Sequence, residues 1–339
     1  MNISFSKKCL LMNGTDIKTK NPHYVPVMYL KNFGVIPTEG KKRTRRAKIH
    51  FFNKIERGEI QRSSTGVECV KPYFYDQEIE DRLNSKIETD LLNNTFHKII
   101  SNFSLEDLTN KQFNAIKLFI LVQTNRTEYR IRYYHDLISW AQKLPKDVYN
   151  KSLDVVFSNN LPSQNELYSS EAFLKDMVKN DILMAIKHIS ILKDFSWIIY
   201  KNHTKLPFYT SDNPVINKSE IFFRFKKPKI QTGQFKERIY VLPISSKIIL
   251  KLSKPINSTF KYKIKDEIVD DRMKVIRYNN EIVRNAESKV YMKQKDESFL
   301  QYVIFFNQKC LERKSYIHIH RPINEMGDFK VEVVNDKSP

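Results

Sequence analysis

A chain of 339 residues with a hydrophobic fraction of 41%, 22 Phe and 17 Tyr has ample apolar surface for a buried core, which argues against a disordered chain. Seven glycines without a G-x-G-x-x-G or G-x-x-x-x-G-K-[ST] run argue against glycine-rich phosphate loops, and three scattered cysteines, Cys9, Cys69 and Cys310, argue against a disulfide framework or a Cys-rich zinc site. The net charge of +20, from 58 Lys and Arg against 38 Asp and Glu, favours a polyanionic partner, nucleic acid first, although an AT-rich genome would also produce a Lys-heavy composition.

Residues 1–20 show no clear period and read as a loose N-terminus, with order beginning near Asn21. In HYVPVMYLKNFG, Pro26 suits a first helical turn, Val27, Tyr29 or Leu30, and Phe33 recur at helical spacing, and Gly34 closes the element. The basic stretch 40–48 is a charged loop, and IHFFNK with EIQRSS forms a hairpin turned at Arg57 and Gly58. From Gln77 the period becomes helical, with Ile79, Leu83 and Ile87 on one stripe and Leu91, Leu92, Phe96 and Ile99 continuing it around the helix. A second helix starts at the N-cap Thr109 and runs through Phe113, Ile116, Phe119 and Ile120 towards Tyr134; a third spans about 165–192.

After Asp194 short β-branched and aromatic runs predict a sheet: FSWIIY, LPFYTS, EIFFRF, RIYVLP and KIILKL. One helix, about 271–291, precedes the closing strands QYVIFF, SYIHIH and FKVEVV. Helices and strands are segregated, so the predicted fold is α+β with a mainly antiparallel sheet. A single domain is expected over 21–322, helical at about 77–193 and sheet-rich at about 194–322, followed by a C-terminal strand and tail at 323–339. No apolar run approaches the ~20 residues of a membrane span, so the expected location is the cytoplasm, with no membrane partner.

Three segments, HYVPVMYLKNF, LVQTNRTEYR, and PFYTSDNPV followed by VLPIS, resemble in order and spacing the bacterial domain of unknown function 4238 family. The resemblance covers about 21–291 and brings no established activity. What it implies is a set of positions: His23, Tyr24, Leu30 and Phe33; Gln123 and Arg126; Ser211, Asp212, Asn213 and Pro214. Where the family often has Thr-Pro after the mid-chain Arg, this chain has Thr127-Glu128, which leaves the local helix end open.

Helix spacing gives an independent reason to consider some of these residues. Glu88 lies on the edge of an apolar stripe, three and four residues before Leu91 and Leu92; Gln123 continues the inner face of the next helix, and Arg126 and Arg130 extend that line. An unpaired buried charge is costly, so Glu88 with Arg126 is the expected pair, either as a clamp between helices or as an anion site with a braced guanidinium. Ser211, Asp212 and Asn213 fall at a strand end, where Asp212 either forms an Asx-turn or serves as a base or a Mg²⁺ or Mn²⁺ ligand. His23, before a helix, is either a packing residue or an acid-base group supported by Tyr24.

Basic residues cluster at Lys41, Lys42, Arg43, Arg45, Arg46 and Lys48, and again at Arg224, Lys226, Lys227 and Lys229, interleaved with Phe222, Phe223 and Phe225. That pattern suits RNA or single-stranded DNA, whose phosphates pair and whose bases stack; a solvated loop and a Lys-guarded edge strand are the plain alternatives. The leading expectation is a phosphodiester-cleaving effector, a ribonuclease or other nuclease of the kind used in phage defence. In it His23, Glu88, Arg126 and Asp212 are catalytic, Asp212 holds the metal, and Tyr24, Gln123, Ser211 and Asn213 support them. The alternatives are a non-catalytic nucleic-acid- or partner-binding protein and an enzyme acting on a small anionic metabolite or nucleotide.

Overall fold

The computed structural model describes residues 22–36, 47–71, 74, 77–86, 90–141, 171–218, 223–226, 229–232, 237–255, 263–298, 318–320 and 330–332. In chain order the first half contains α1 (Val27–Leu30), β1 (Lys48–Asn53), β2 (Gln61–Ser64), α2 (Gln77–Lys86), α3 (Asp90–Asn102), α4 (Asn110–Asn125), α5 (Glu128–Ala141) and α6 (Glu171–Lys187). The second half contains β3 (Ser196–Asn202), β4 (Thr210–Ser211), β5 (Ile216–Asn217), β6 (Phe223–Lys226), β7 (Lys229–Thr232), β8 (Glu237–Ser245), β9 (Ile248–Pro255), β10 (Ile264–Val269), α7 (Arg272–Asn285), β11 (Lys289–Met292), β12 (His318–His320) and β13 (Lys330–Glu332). The fold is α+β, with α2–α6 grouped in the first half and β3–β10 in the second, a segregation that the sequence pattern predicts.

Alternation along the strands decides which layer each face meets. The larger sheet has the order β10-β3-β9-β8-β5, antiparallel except where β10 runs parallel to β3. Trp197 and Ile199 of β3, Leu250 and Leu252 of β9, and Leu242 and Ile244 of β8 share one core with Phe96, Phe119 and Ile120 of the helices. The intervening residues Tyr200, Ile249 and Val241 point the other way, into a second core with Val275, Ile282 and Val283 of α7. The smaller sheet, β2-β1-β11-β4, joins the early hairpin to β11 and β4 from the second half of the chain. In that hairpin Phe51 lies opposite Gln61, and Arg57 adopts a φ of 53° in the turn.

Local signals hold well at α4. Thr109 accepts from Gln112 N at 3.3 Å while the Gln112 side chain accepts from Thr109 N at 2.9 Å, a capping box. Leu91, expected on the apolar stripe, is 41% exposed, because α3 buries the line of Leu92, Phe96 and Ile99 and Leu91 lies one residue off it. Two expected helices end early. The helix predicted from Thr109 through Tyr134 breaks at Arg126, whose φ of −96° and ψ of 55° separate α4 from α5. The helix predicted to reach residue 291 stops at Asn285, and Lys289–Met292 become the strand β11. Both endings coincide with bonds to partners distant in sequence, described below. Of the expected elements, Ile87 in the first helix, the start of the third helix at 165–170 and the strand QYVIFF lie outside the described residues. No helix among the described residues is long and apolar enough to cross a membrane.

Candidate functional site

The HYVP segment enters as a bridge. His23 pairs with Val70, Tyr24 N donates to Cys69 O at 2.9 Å, and the His23 ring nitrogen Nε2 lies 3.1 Å from Gly66 O. The carbonyls of this segment meet the end of α4: Gln123 Nε2 donates to Tyr24 O at 2.8 Å, and Arg126 Nη2 donates to His23 O. Arg126 is fully buried, and Glu80 lies 4.0 Å from its guanidinium. Turning the main chain out of the helix at Arg126 is what aims its guanidinium at that carbonyl. Glu88, the expected partner of Arg126, lies outside the described residues.

One turn further, Tyr29 joins α3 and α4 to β4 and β8. Its hydroxyl donates to Pro243 O at 2.7 Å and lies 2.7 Å from Thr210 Oγ1, so the single phenolic proton goes to the carbonyl and Thr210 donates in return. The ring is enclosed by Phe33, Phe96 and Phe119, with centroids 5.5–6.3 Å away. Pro243 can present its carbonyl this way because β8 bulges between Pro243 and Ser245, beyond the reach of β5.

Asp212 closes the other side. Its Oδ1 accepts from Glu287 N at 2.8 Å; its Oδ2 accepts from Ser288 N at 2.8 Å, Ser288 Oγ at 2.7 Å and Lys289 N at 2.9 Å. Capture of three consecutive amides ends α7 and starts β11. Burial pushes the Asp212 carboxyl above its ordinary value, while the bonds from Ser288, Lys289 and Glu287 pull it down. Ser211 and Asn213 brace the same turn: Ser211 Oγ bonds Asn213 O at 2.8 Å, Asn213 Nδ2 donates to Asn285 O at 2.9 Å, and Asn285 Nδ2 donates to Asn213 O and Val215 O at 2.6 and 3.0 Å.

Beside Asp212 lies a polar group that the sequence did not single out. Tyr291 OH donates to Glu68 Oε2 at 3.0 Å, Lys289 Nζ reaches the same oxygen at 2.9 Å, and Cys69 Sγ is 3.2 Å from Tyr291 OH. Cys69 sits at a φ of 55°. Burial, with Asp212 and Glu68 nearby, pushes its thiol well above the ordinary range, as burial does for the hydroxyls of Tyr24 and Tyr291. Glu287 in turn holds Arg132 through a fork, Oε1 to Nε at 2.6 Å and Oε2 to Nη2 at 2.8 Å. No local signal marks Cys69, Glu68 or Tyr291, whose roles come from contacts more than 200 residues apart in the chain.

His23, Tyr24, Gln123 and Arg126 thus meet in one buried junction, and Ser211, Asp212 and Asn213 meet in a second that adjoins it through Tyr24, whose hydroxyl feels the Asp212 charge. A sequence model of the family described as Protein of unknown function (DUF4238) matches residues 21–296. The chain belongs to this family. No curated protein matches it, and no solved structure does. In this DUF4238 chain Gln123 and Arg126 bind main-chain carbonyls of the first signature segment, Tyr29 binds Thr210 and Pro243 O of the third, and Asp212 anchors the third to the amides of 287–289.

Four residues of the two basic clusters are described. Lys48 is exposed at the start of β1, and Arg224, Lys226 and Lys229 fall on the β6–β7 hairpin, where Lys226 is opposite Lys229; Lys41, Lys42, Arg43, Arg45, Arg46 and Lys227 are outside the described residues. Among the described residues no three His, Cys, Asp or Glu side chains group as a metal site. The helix break at Arg126 does open a cleft of about 220 Å³ against the β5–β8 edge, lined by Leu121, Thr124, Asn125, Tyr129, Arg130, Asn217 and Tyr240. Five of those residues belong to the LVQTNRTEYR segment.

Proposed function

We propose that this protein binds single-stranded nucleic acid, RNA or DNA, through its cationic surface, and that the signature residues hold its architecture rather than cleave a phosphodiester bond. The observation that carries the reading is the net charge of +20, which attracts a polyanion over long range. The geometry around Asp212 supports the non-catalytic half. Asp212 is buried, and four donors already approach its two oxygens, three at Oδ2 and one at Oδ1, so the carboxylate is engaged in holding the main chain of 287–289. Arg126 is likewise committed to the His23 carbonyl inside the protein.

The test is purified protein against labelled single-stranded RNA, single-stranded DNA and duplex DNA over a salt series, each with Mg²⁺, Mn²⁺ or EDTA. Binding to single strands should weaken with a log-log slope of about −0.7 per neutralised phosphate, and the strand should stay intact. Absence of binding at low salt would overturn the proposal. Metal-dependent cleavage that disappears in a folded Asp212→Asn variant would replace it with the nuclease reading.

A further inference from the structure

Building on the nucleic-acid reading, we propose that the cleft at the α4–α5 break receives one unstacked nucleobase of a bound single strand. Its volume of about 220 Å³ lies below the ~300–1,000 Å³ of pockets for larger ligands, so it suits a single ring system. Leu121, Tyr129 and Tyr240 supply apolar and aromatic wall, and base-aromatic stacking is how single strands are commonly held.

The polar rim is matched to a neutral edge rather than an anion. Arg130 lies over the Tyr133 and Tyr134 rings at 4.8 and 4.9 Å, and its Nε is bound to Asp181 at 2.7 Å, so its charge is already compensated. Thr124 donates its proton to Ile120 O at 2.7 Å, and Asn125 donates from Nδ2 to Leu121 O at 2.9 Å. Their oxygens are thereby left as acceptors for the N–H groups of a base edge.

Positive charge stands beside the cleft instead of inside it. Asn217 lies opposite Tyr240 across the β5–β8 pair. Two residues along β8, about 7 Å away and on the same face, Arg238 lies opposite Lys254. Arg238 is exposed, and Lys254 shares only an exposed 3.6 Å pair with Asp194. A strand whose base enters the cleft would place its backbone along these two cations.

The experiment compares the affinity of the full chain for a labelled single-stranded oligonucleotide and for an abasic backbone of the same length. Wild type is expected to bind the abasic strand about tenfold more weakly. Asn217→Leu should shrink that ratio to about threefold or less, whereas Arg238→Ala should weaken both strands alike. Thr124→Val repeats the cleft test should Asn217→Leu lower the thermal midpoint. Equal wild-type affinity for the two strands, or a full ratio kept in the folded cleft variants, overturns the base site while leaving nucleic-acid binding in place. Failure of both strands to bind overturns the nucleic-acid reading and the base site with it.

Discussion

Replacing Asp212 by Asn keeps the shape of the side chain and exchanges one acceptor oxygen for an NH₂ donor. Placing the remaining oxygen towards Ser288 and Lys289 keeps three of the four bonds but sets the new donor against Glu287 N, leaving a buried amide unsatisfied. That costs about 1–3 kcal/mol, and the three surviving bonds fall from charge-assisted to neutral strength, roughly 1 kcal/mol each. Relief of the desolvation of a buried carboxylate returns part of this, so the net loss is about 3 kcal/mol. With an unfolding entropy of about 2.1 cal/mol/K per residue, a chain of 339 residues loses about 4 °C in Tm. Thermal and urea unfolding read the first number, and amide exchange reads the location: Glu287, Ser288 and Lys289 should lose protection before the rest of β11. An unchanged midpoint with unchanged protection at those three amides would refute the account of Asp212 as a tie.

Tyr29→Phe removes the donor to Pro243 O and leaves Thr210 unanswered, for a loss of about 1–3 kcal/mol in urea unfolding. Adding Thr210→Val to it should cost less than the sum of the two single changes; strict additivity would mean that the hydroxyls are not coupled. Arg126→Ala strips a fully buried cation from the His23 carbonyl and from Glu80, and should destabilise by about 3–5 kcal/mol, whereas a loss under about 1 kcal/mol would show that the guanidinium does not join the segments. The Cys69 thiol, buried and held protonated, should resist alkylation in the native protein and react fully in denaturant; mass spectrometry of its peptide checks this, and rapid native labelling would contradict the described burial.

Elements whose causes are local were legible in the amino-acid sequence. The Thr109 cap depends on Gln112 three residues on, the hairpin around Arg57 on alternation and a turn, and the α+β class on a change of period near Asp194. The three signature segments were also visible as segments, and so were Gln123, Arg126 and Asp212 within them. Which atoms those side chains meet was not. Gln123 and Arg126 bind carbonyls about 100 residues earlier, and Asp212 binds amides 75–77 residues later. Only when those partners are present do the helix at Arg126 and the helix at Asn285 end where they do, because helical periodicity continues through both points and the competing bonds are tertiary. The cleft beside Tyr240 has the same origin: it exists because α4 breaks against the sheet edge, a juxtaposition that no window along the chain contains.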